Sequence, residues 1–131
     1  MQHVLYSYGN AEKISWVIKT NESTSEQNRE HAEMYRNKVT TLQSKYIALH
    51  VGLFWGIGVF ILRNNDSIKI KLDDKTMYDQ ITSDEMIDDF LIEKRKQFIK
   101  QLIAQRKFDV EFELISQDEN LAKKNIESKR A

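Results

Sequence analysis

Residues 46 to 62, YIALHVGLFWGIGVFIL, form a run of seventeen in which only His50 and the three glycines Gly52, Gly56 and Gly58 are not apolar. A run of this kind must leave water, either into a bilayer or into a protein core. Crossing a hydrocarbon layer of roughly 30 Å takes about 20 apolar residues, so this one is short for a span, and a histidine with three glycines makes it poorer still. A helix that is apolar nearly all round also forms where one side packs on a sheet and the other on helices. The run therefore reads as the core helix of a soluble domain. Thr40 or Thr41 can N-cap it, and Asn64, Asn65 and Asp66 supply a stop and a turn after about Arg63.

The chain of 131 residues has room for one domain, spanning residues 1–131, and one hydrophobic core. Its 20 basic residues offset 20 acidic ones, so no bulk field draws it to nucleic acid or to a membrane surface, and any polyanion site must be local. There are no cysteines, which excludes disulfides and thiolate metal sites. The opening MQHVLYSYGN lacks the basic region and long apolar stretch of a secretory leader, so the expected setting is intracellular, with no membrane partner.

Periodicity orders the remaining elements. HVLYSYG and KISWVIKT are rich in β-branched and aromatic residues, and Gly9 and Asn10 between them suit a hairpin turn. The polar segment 21–30 shows no period and reads as a loop, and HAEMYRNKV after it reads as a third strand or a helix start. SIKIKLD alternates at Ile68, Ile70 and Leu72, and FDVEFELIS alternates at Val110, Phe112 and Leu114. Between them a helix begins near Lys75. A longer one is capped at Thr82 or Ser83 and buries Ile87, Phe90, Leu91, Phe98, Ile99, Leu102 and Ile103. A short last helix starts near Asp118 and Glu119 and ends near Lys129 and Arg130. The order β-β-β-α-β-α-α-β-α combines antiparallel hairpins with parallel crossovers, which predicts an α/β domain with a mixed sheet.

Three blocks in this order carry a resemblance. TTLQSKYIALHVGL (40–53), IKIKLDDKTMYDQI (68–81) and VEFELISQDENLAKKN (110–125) resemble successive blocks of type 1 ribonuclease H, in particular the subgroup of retroelement polymerases and plants. In that family the blocks read T-N-N-x-A-E-Y-x-A-L-x-x-G-L, I-x-I-x-x-D-S-x-x-V-x-x-Q-I and f-e-x-x-H-I-P-R-E-E-N-x-x-A-D. Order and approximate spacing agree over about ninety residues. The resemblance implies a five-stranded mixed sheet, three antiparallel strands followed by parallel ones, flanked by helices. It also implies a nuclease that cuts the RNA of an RNA/DNA hybrid with two divalent ions, Mg²⁺ or Mn²⁺, held by carboxylates.

The ligand positions carry over one by one. The first carboxylate belongs in Y-x-D-G-S; here YSYGN puts Tyr8 in its place and keeps Gly9. The second, before the tyrosine of the first helix, is Lys45. The third, Asp73, is present. The fourth is Lys124, while Asn120 four residues earlier is kept, and Leu114 stands where the family has histidine. With three of four ligands replaced, no metal site and no cofactor are expected; Mg²⁺ or Mn²⁺ would enter only if an active nuclease with an unusual site existed. Lys45 or Lys124 is expected to reach Asp73 and turn the metal cavity into a salt bridge. Asp74 would not converge with Asp73 on an extended segment unless a helix starts there, and Glu12, Glu33 and Glu127 offer no substitute.

The charge distribution adds a candidate surface. Residues 73–93 hold eight acids and one lysine, whereas residues 94–107 hold six bases and no acid. That gradient complements a helix macrodipole, and the cluster Lys94, Arg95, Lys96, Lys100, Arg106 and Lys107 is also the candidate for phosphate contacts. His3, His31 and His50 lack metal-ligand spacing and read as packing or surface residues, and Trp16 and Trp55 as core. The expected function is a degenerate ribonuclease H-like module that binds RNA or RNA/DNA hybrid, or a partner protein or second copy as a scaffold. The alternatives are an active nuclease and a helical structural or membrane-associated protein.

Overall fold

In the computed structural model, which describes residues 1–128, the first hairpin forms where turn chemistry places it. Strand β1 (Gln2–Gly9) runs antiparallel to β2 (Lys13–Thr20), with Ser7 opposite Trp16 and Tyr8 opposite Ser15. The Asn10 side-chain oxygen accepts from the amides of Glu12 and Lys13 at 2.9 and 2.8 Å, which closes the turn. β3 (Ser23–Glu30) corrects the expected loop: residues 23–30 pair with β2 along its whole length, from Lys13 opposite Glu30 to Thr20 opposite Ser23. A strand at the edge of a sheet needs no apolar face, and polar side chains guard it against pairing with other chains. Asn21, with φ 55°, reverses the chain ahead of β3. Residues 31–39, read as a strand or a helix start, are turns.

Helix α1 (Thr41–Gly58) opens with a capping box: the Gln43 amide donates to Thr40 Oγ1 at 3.1 Å, and the Thr40 amide donates to Gln43 Oε1 at 2.9 Å. It lays Tyr46, Leu49 and Leu53 against Trp16, Ile18 and Leu5 of the sheet. Gly52 permits this approach, since a Cβ there would stand 3.0 Å from Trp16 Cβ. The helix ends at Gly58, short of the expected Arg63. The amides of Ile61 and Leu62 both donate to the Gly56 carbonyl at 3.0 Å, and the chain turns so that Leu62 returns to the core. No helix among the described residues is long and apolar enough to cross a membrane.

β4 (Ser67–Leu72) runs parallel to β1 and buries Ile68, Ile70 and Leu72. Then come α2 (Lys75–Ile81), α3 (Phe90–Arg106), β5 (Asp109–Leu114) parallel to β4, a 3₁₀ turn at Gln117–Glu119, and α4 (Leu121–Ser128). Lys129 and Arg130, expected at the end of the last helix, lie outside the described residues. The sheet order β3-β2-β1-β4-β5 gives three antiparallel strands followed by parallel ones, flanked by helices, as expected. This sheet removes the alternative of a helical structural protein.

Two expectations about α3 are corrected. Its cap is Asp89, which accepts from the Ile92 amide at 3.1 Å, and not Thr82 or Ser83. Its buried stripe runs through Ile92, Lys96 and Ile99, while Phe90 and Phe98 are 79% and 40% exposed. A lysine can occupy a core-facing position by burying its stem and sending the ammonium to a polar group. Lys96 does so, donating to the Glu85 carbonyl at 2.9 Å.

β1 and α1 meet closely at Gly9, where an added Cβ would lie 2.6 Å from both the carbonyl carbon and the oxygen of Ser44. Backbone cannot yield as a flexible side chain can, so α1 would have to lift. Gly9→Ala is expected to cost about 2 to 3 kcal/mol in urea unfolding, as overpacking does; an unchanged midpoint would contradict this packing.

Candidate functional site

Four elements converge at one end of the sheet. Tyr8 comes from the end of β1, Lys45 from the first turns of α1, Asp73 and Asp74 from the segment that leaves β4, and Asn120 from the residue ahead of α4. Lys45 Nζ lies 3.0 Å from Asp73 Oδ1 and 3.5 Å from Asp74 Oδ2. The side chains of Lys45 and Asp73 are only 5% and 2% exposed. The second Asp73 oxygen accepts from Asn120 Nδ2 at 3.0 Å, and that amide also donates to the Ser7 carbonyl at 3.0 Å. The Lys45 ammonium stands 5.5 Å from the centre of the Tyr8 ring, within cation–π range.

Local sequence explains why both aspartates reach one lysine. Asp74 is the N-cap of α2 and accepts from the Met77 amide at 3.1 Å. The chain therefore leaves its extended course immediately after Asp73, and two neighbours that a strand would hold on opposite faces both meet the ammonium. The helix start was the condition on which Asp74 could join the site. Of the two lysines expected to reach Asp73, Lys45 does. Lys124 is exposed on α4 and makes no ion pair among the described residues. Leu114 ends β5 and is 41% exposed.

The donor set does not fit a pair of divalent ions. One carboxylate oxygen of Asp73 faces an ammonium and the other an amide donor, so neither is left for a cation. Lys45 also places a positive charge where a second one would be strongly repelled. Among the described residues no group of three or more His, Cys, Asp or Glu side chains could hold a metal.

The basic segment of α3 does not present its six cations on one surface. Lys94, Arg106 and Lys107 are exposed. Arg95 is half-buried and donates to His50 Nδ1 at 2.9 Å and to the Tyr35 hydroxyl at 3.2 Å. Lys100 reaches the Ser83 carbonyl at 3.2 Å and Asp84 at 3.7 Å. Lys96 is 1% exposed, so the structure removes it from any phosphate-contact surface. The histidines serve packing: His3 bonds Thr20 and Asp66 at 2.6 and 2.7 Å, and His31 bonds Ser44 at 2.7 Å.

The sheet order and the helix that crosses it have counterparts among solved structures. The N-terminal RNase H domain of a Mycobacterium tuberculosis protein superposes with a TM-score of 0.74 at 13% identity over 95% of each chain. RNase H1 from Halobacterium salinarum gives 0.71 at 14% identity over 97% of each. The fold is that of RNase H. An RNase H1 isolated from compost, solved in complex with an RNA/DNA hybrid, gives 0.72 at 16% identity over 93% of this chain and 91% of that one. No protein-family model matches the sequence, and no curated protein matches it significantly. Identities this low establish the RNase H fold alone.

Removing one partner from a buried pair leaves an uncompensated charge, which costs about 3 to 5 kcal/mol. Lys45→Met is therefore expected to lose stability on that scale in urea unfolding, and Lys45→Met with Asp73→Asn to lose clearly less than the two single changes summed. Additive losses would show that the two side chains are not coupled. A second expectation concerns pH. Burial and then the Arg95 guanidinium push His50 down from 6.5 to about 4, and burial lowers His31 in the same direction. Because the unfolded chain takes up these protons first, the stability contribution is complete above about pH 6.5 and is lost as pH falls toward about 4. The urea midpoint should drop between pH 7 and pH 5, and His50→Gln should flatten the drop; an identical slope in that variant would contradict the assignment.

Proposed function

We propose that this chain is a non-cleaving module of the RNase H fold that binds RNA or RNA/DNA hybrid, kin to the degenerate retroelement-type domains its sequence blocks resemble. The observation that carries the reading is the Lys45 ammonium 3.0 Å from Asp73, inside the cavity where the fold's nucleases would bind ions. Hydrolysis by two metal ions needs several anionic oxygens, to hold the ions and to lower the pKa of the attacking water. Here the one retained carboxylate is neutralised by an amino group of the same chain. An active site of unusual composition would require Lys45 to leave a buried position and abandon two carboxylates at once, and among the described residues no other group of acids could hold a metal in its place.

The binding half of the reading rests on two supports. A solved neighbour of this fold is in complex with an RNA/DNA hybrid. Of the basic residues, Lys94 and the half-buried Arg95 on α3, and the exposed Arg106 and Lys107 at its far end, are the ones from which phosphates can be contacted, although the chain as a whole carries formal net charge +0. Phosphate contacts of this kind position a strand without reading its sequence, and they weaken with salt.

A labelled hybrid incubated with the protein in Mg²⁺ or Mn²⁺ is expected to stay intact while it, or the free RNA strand, is retarded in a gel, less so as salt rises. Release of short RNA fragments that disappears in Asp73→Asn would overturn the proposal.

A further inference from the structure

A groove between α1 and α3 lies apart from the ion-pair site. It is a cavity of about 490 Å³ whose lining includes Tyr35, His50, Phe90, Lys94, Arg95 and Phe98, and among the described residues no carboxylate lines it. Two features set it apart from an ordinary seam between packed helices. Its rings are left to solvent: Phe90 is 79% and Phe98 40% exposed, although both stand in a helix with core positions to fill. Phe98 is not loose. It stacks on His50 with centroids 5.4 Å apart and planes 16° from parallel, with Lys94 Nζ 5.9 Å from its ring centre.

The second feature is charge without a counter-charge. The Arg95 guanidinium is half-buried, and the acceptors it meets, His50 Nδ1 and the Tyr35 hydroxyl, are neutral. Neither Arg95 nor Lys94 forms an ion pair among the described residues. A partly buried guanidinium that meets neutral acceptors keeps its charge uncompensated, and two hydrogen bonds do not exhaust its five donors. Whatever fills the groove should bring negative charge and flat apolar faces together. An unpaired nucleic-acid strand brings both with every nucleotide, whereas a duplex hides its base faces and offers phosphate alone. An acidic peptide supplies charge but no regular succession of flat rings.

We infer that this groove is a binding site for single-stranded RNA, with one base stacked on Phe90, another on Phe98, and the adjoining phosphates held by Lys94 and Arg95. The inference rests on the nucleic-acid reading above and narrows it to an unpaired strand and a place on the surface.

Fluorescence anisotropy with labelled oligouridylate tests it on the intact protein, with an RNA/DNA hybrid as a second probe. Phe90→Ala changes a solvent-exposed side chain and should leave the thermal midpoint alone, as should Phe98→Leu, which keeps apolar contact with His50. Each is expected to weaken oligouridylate binding roughly tenfold, as loss of one stacked base does, and Lys94→Gln should reduce the salt dependence by about one ion. Unchanged affinity in both aromatic variants would overturn the groove as the site while leaving the nucleic-acid reading in place. Displacement by inorganic polyphosphate or oligoglutamate as effective as by RNA of equal charge would overturn stacking. A concentration-dependent dimer dissolved by Phe90→Ala would give the groove to a second copy of the chain and overturn the inference. Binding of neither oligouridylate nor hybrid would remove the broader reading along with it.

Discussion

A lysine and an aspartate buried side by side organise one end of this protein. Taking both charges out of water is expensive, and their attraction offsets that cost only where the remaining polar atoms are also satisfied. Here they are: Asp73 has Lys45 on one oxygen and Asn120 on the other, and Lys45 adds Asp74 and the face of Tyr8. The pair joins α1 to the end of β4, and Asn120 extends the link to the β1 backbone at Ser7 and so draws the start of α4 onto the sheet. The same contacts that tie the elements together consume the oxygens that a metal ion would need. On the proposed reading, one interaction both ties the elements together and leaves an ion without ligands.

Helix α1 serves two surfaces because it can approach the sheet so closely. Gly9 and Gly52 remove the side chains that would hold it away, which brings Lys45 over the end of β4 and seats Trp16 beneath the helix with Trp55 5.9 Å from it. The opposite side of α1 then meets α3, where His50 stacks on Phe98 and accepts a hydrogen bond from Arg95. A helix that looked uniformly apolar in sequence thus carries an ion-pair end and an aromatic, cationic flank.

What could be read in advance was what local chemistry decides. The Asn10 turn, the Thr40 cap, and the alternation of Ile68, Ile70 and Leu72 each depend on neighbours within a few residues. The family resemblance put Tyr8, Lys45, Asp73 and Lys124 at the ligand positions and so anticipated the contact of Lys45 with Asp73, but not the absence of Lys124 from it. Other interactions made at a distance were not legible. β3 is a strand because β2 offers it a row of backbone partners, and nothing in its own polar sequence says so. Lys96 sits in the core because Glu85 offers a carbonyl across a connection that sequence periodicity assigned to the helix itself. Phe90 and Phe98 matched a helical period yet lie beside the buried stripe, since hydrophobic spacing alone does not distinguish a core face from an exposed one. Asp74 entered the site because α2 begins one residue after it, a boundary known only approximately from sequence.

The central claim is that an amino group of the chain occupies the ion cavity. A crystal soaked in Mn²⁺ and examined by anomalous scattering tests it most directly. The account predicts Lys45 Nζ in contact with Asp73, near the 3.0 Å described above, with no anomalous peak beside that carboxylate. A manganese ion bound to Asp73, with Lys45 swung out toward solvent, would contradict it.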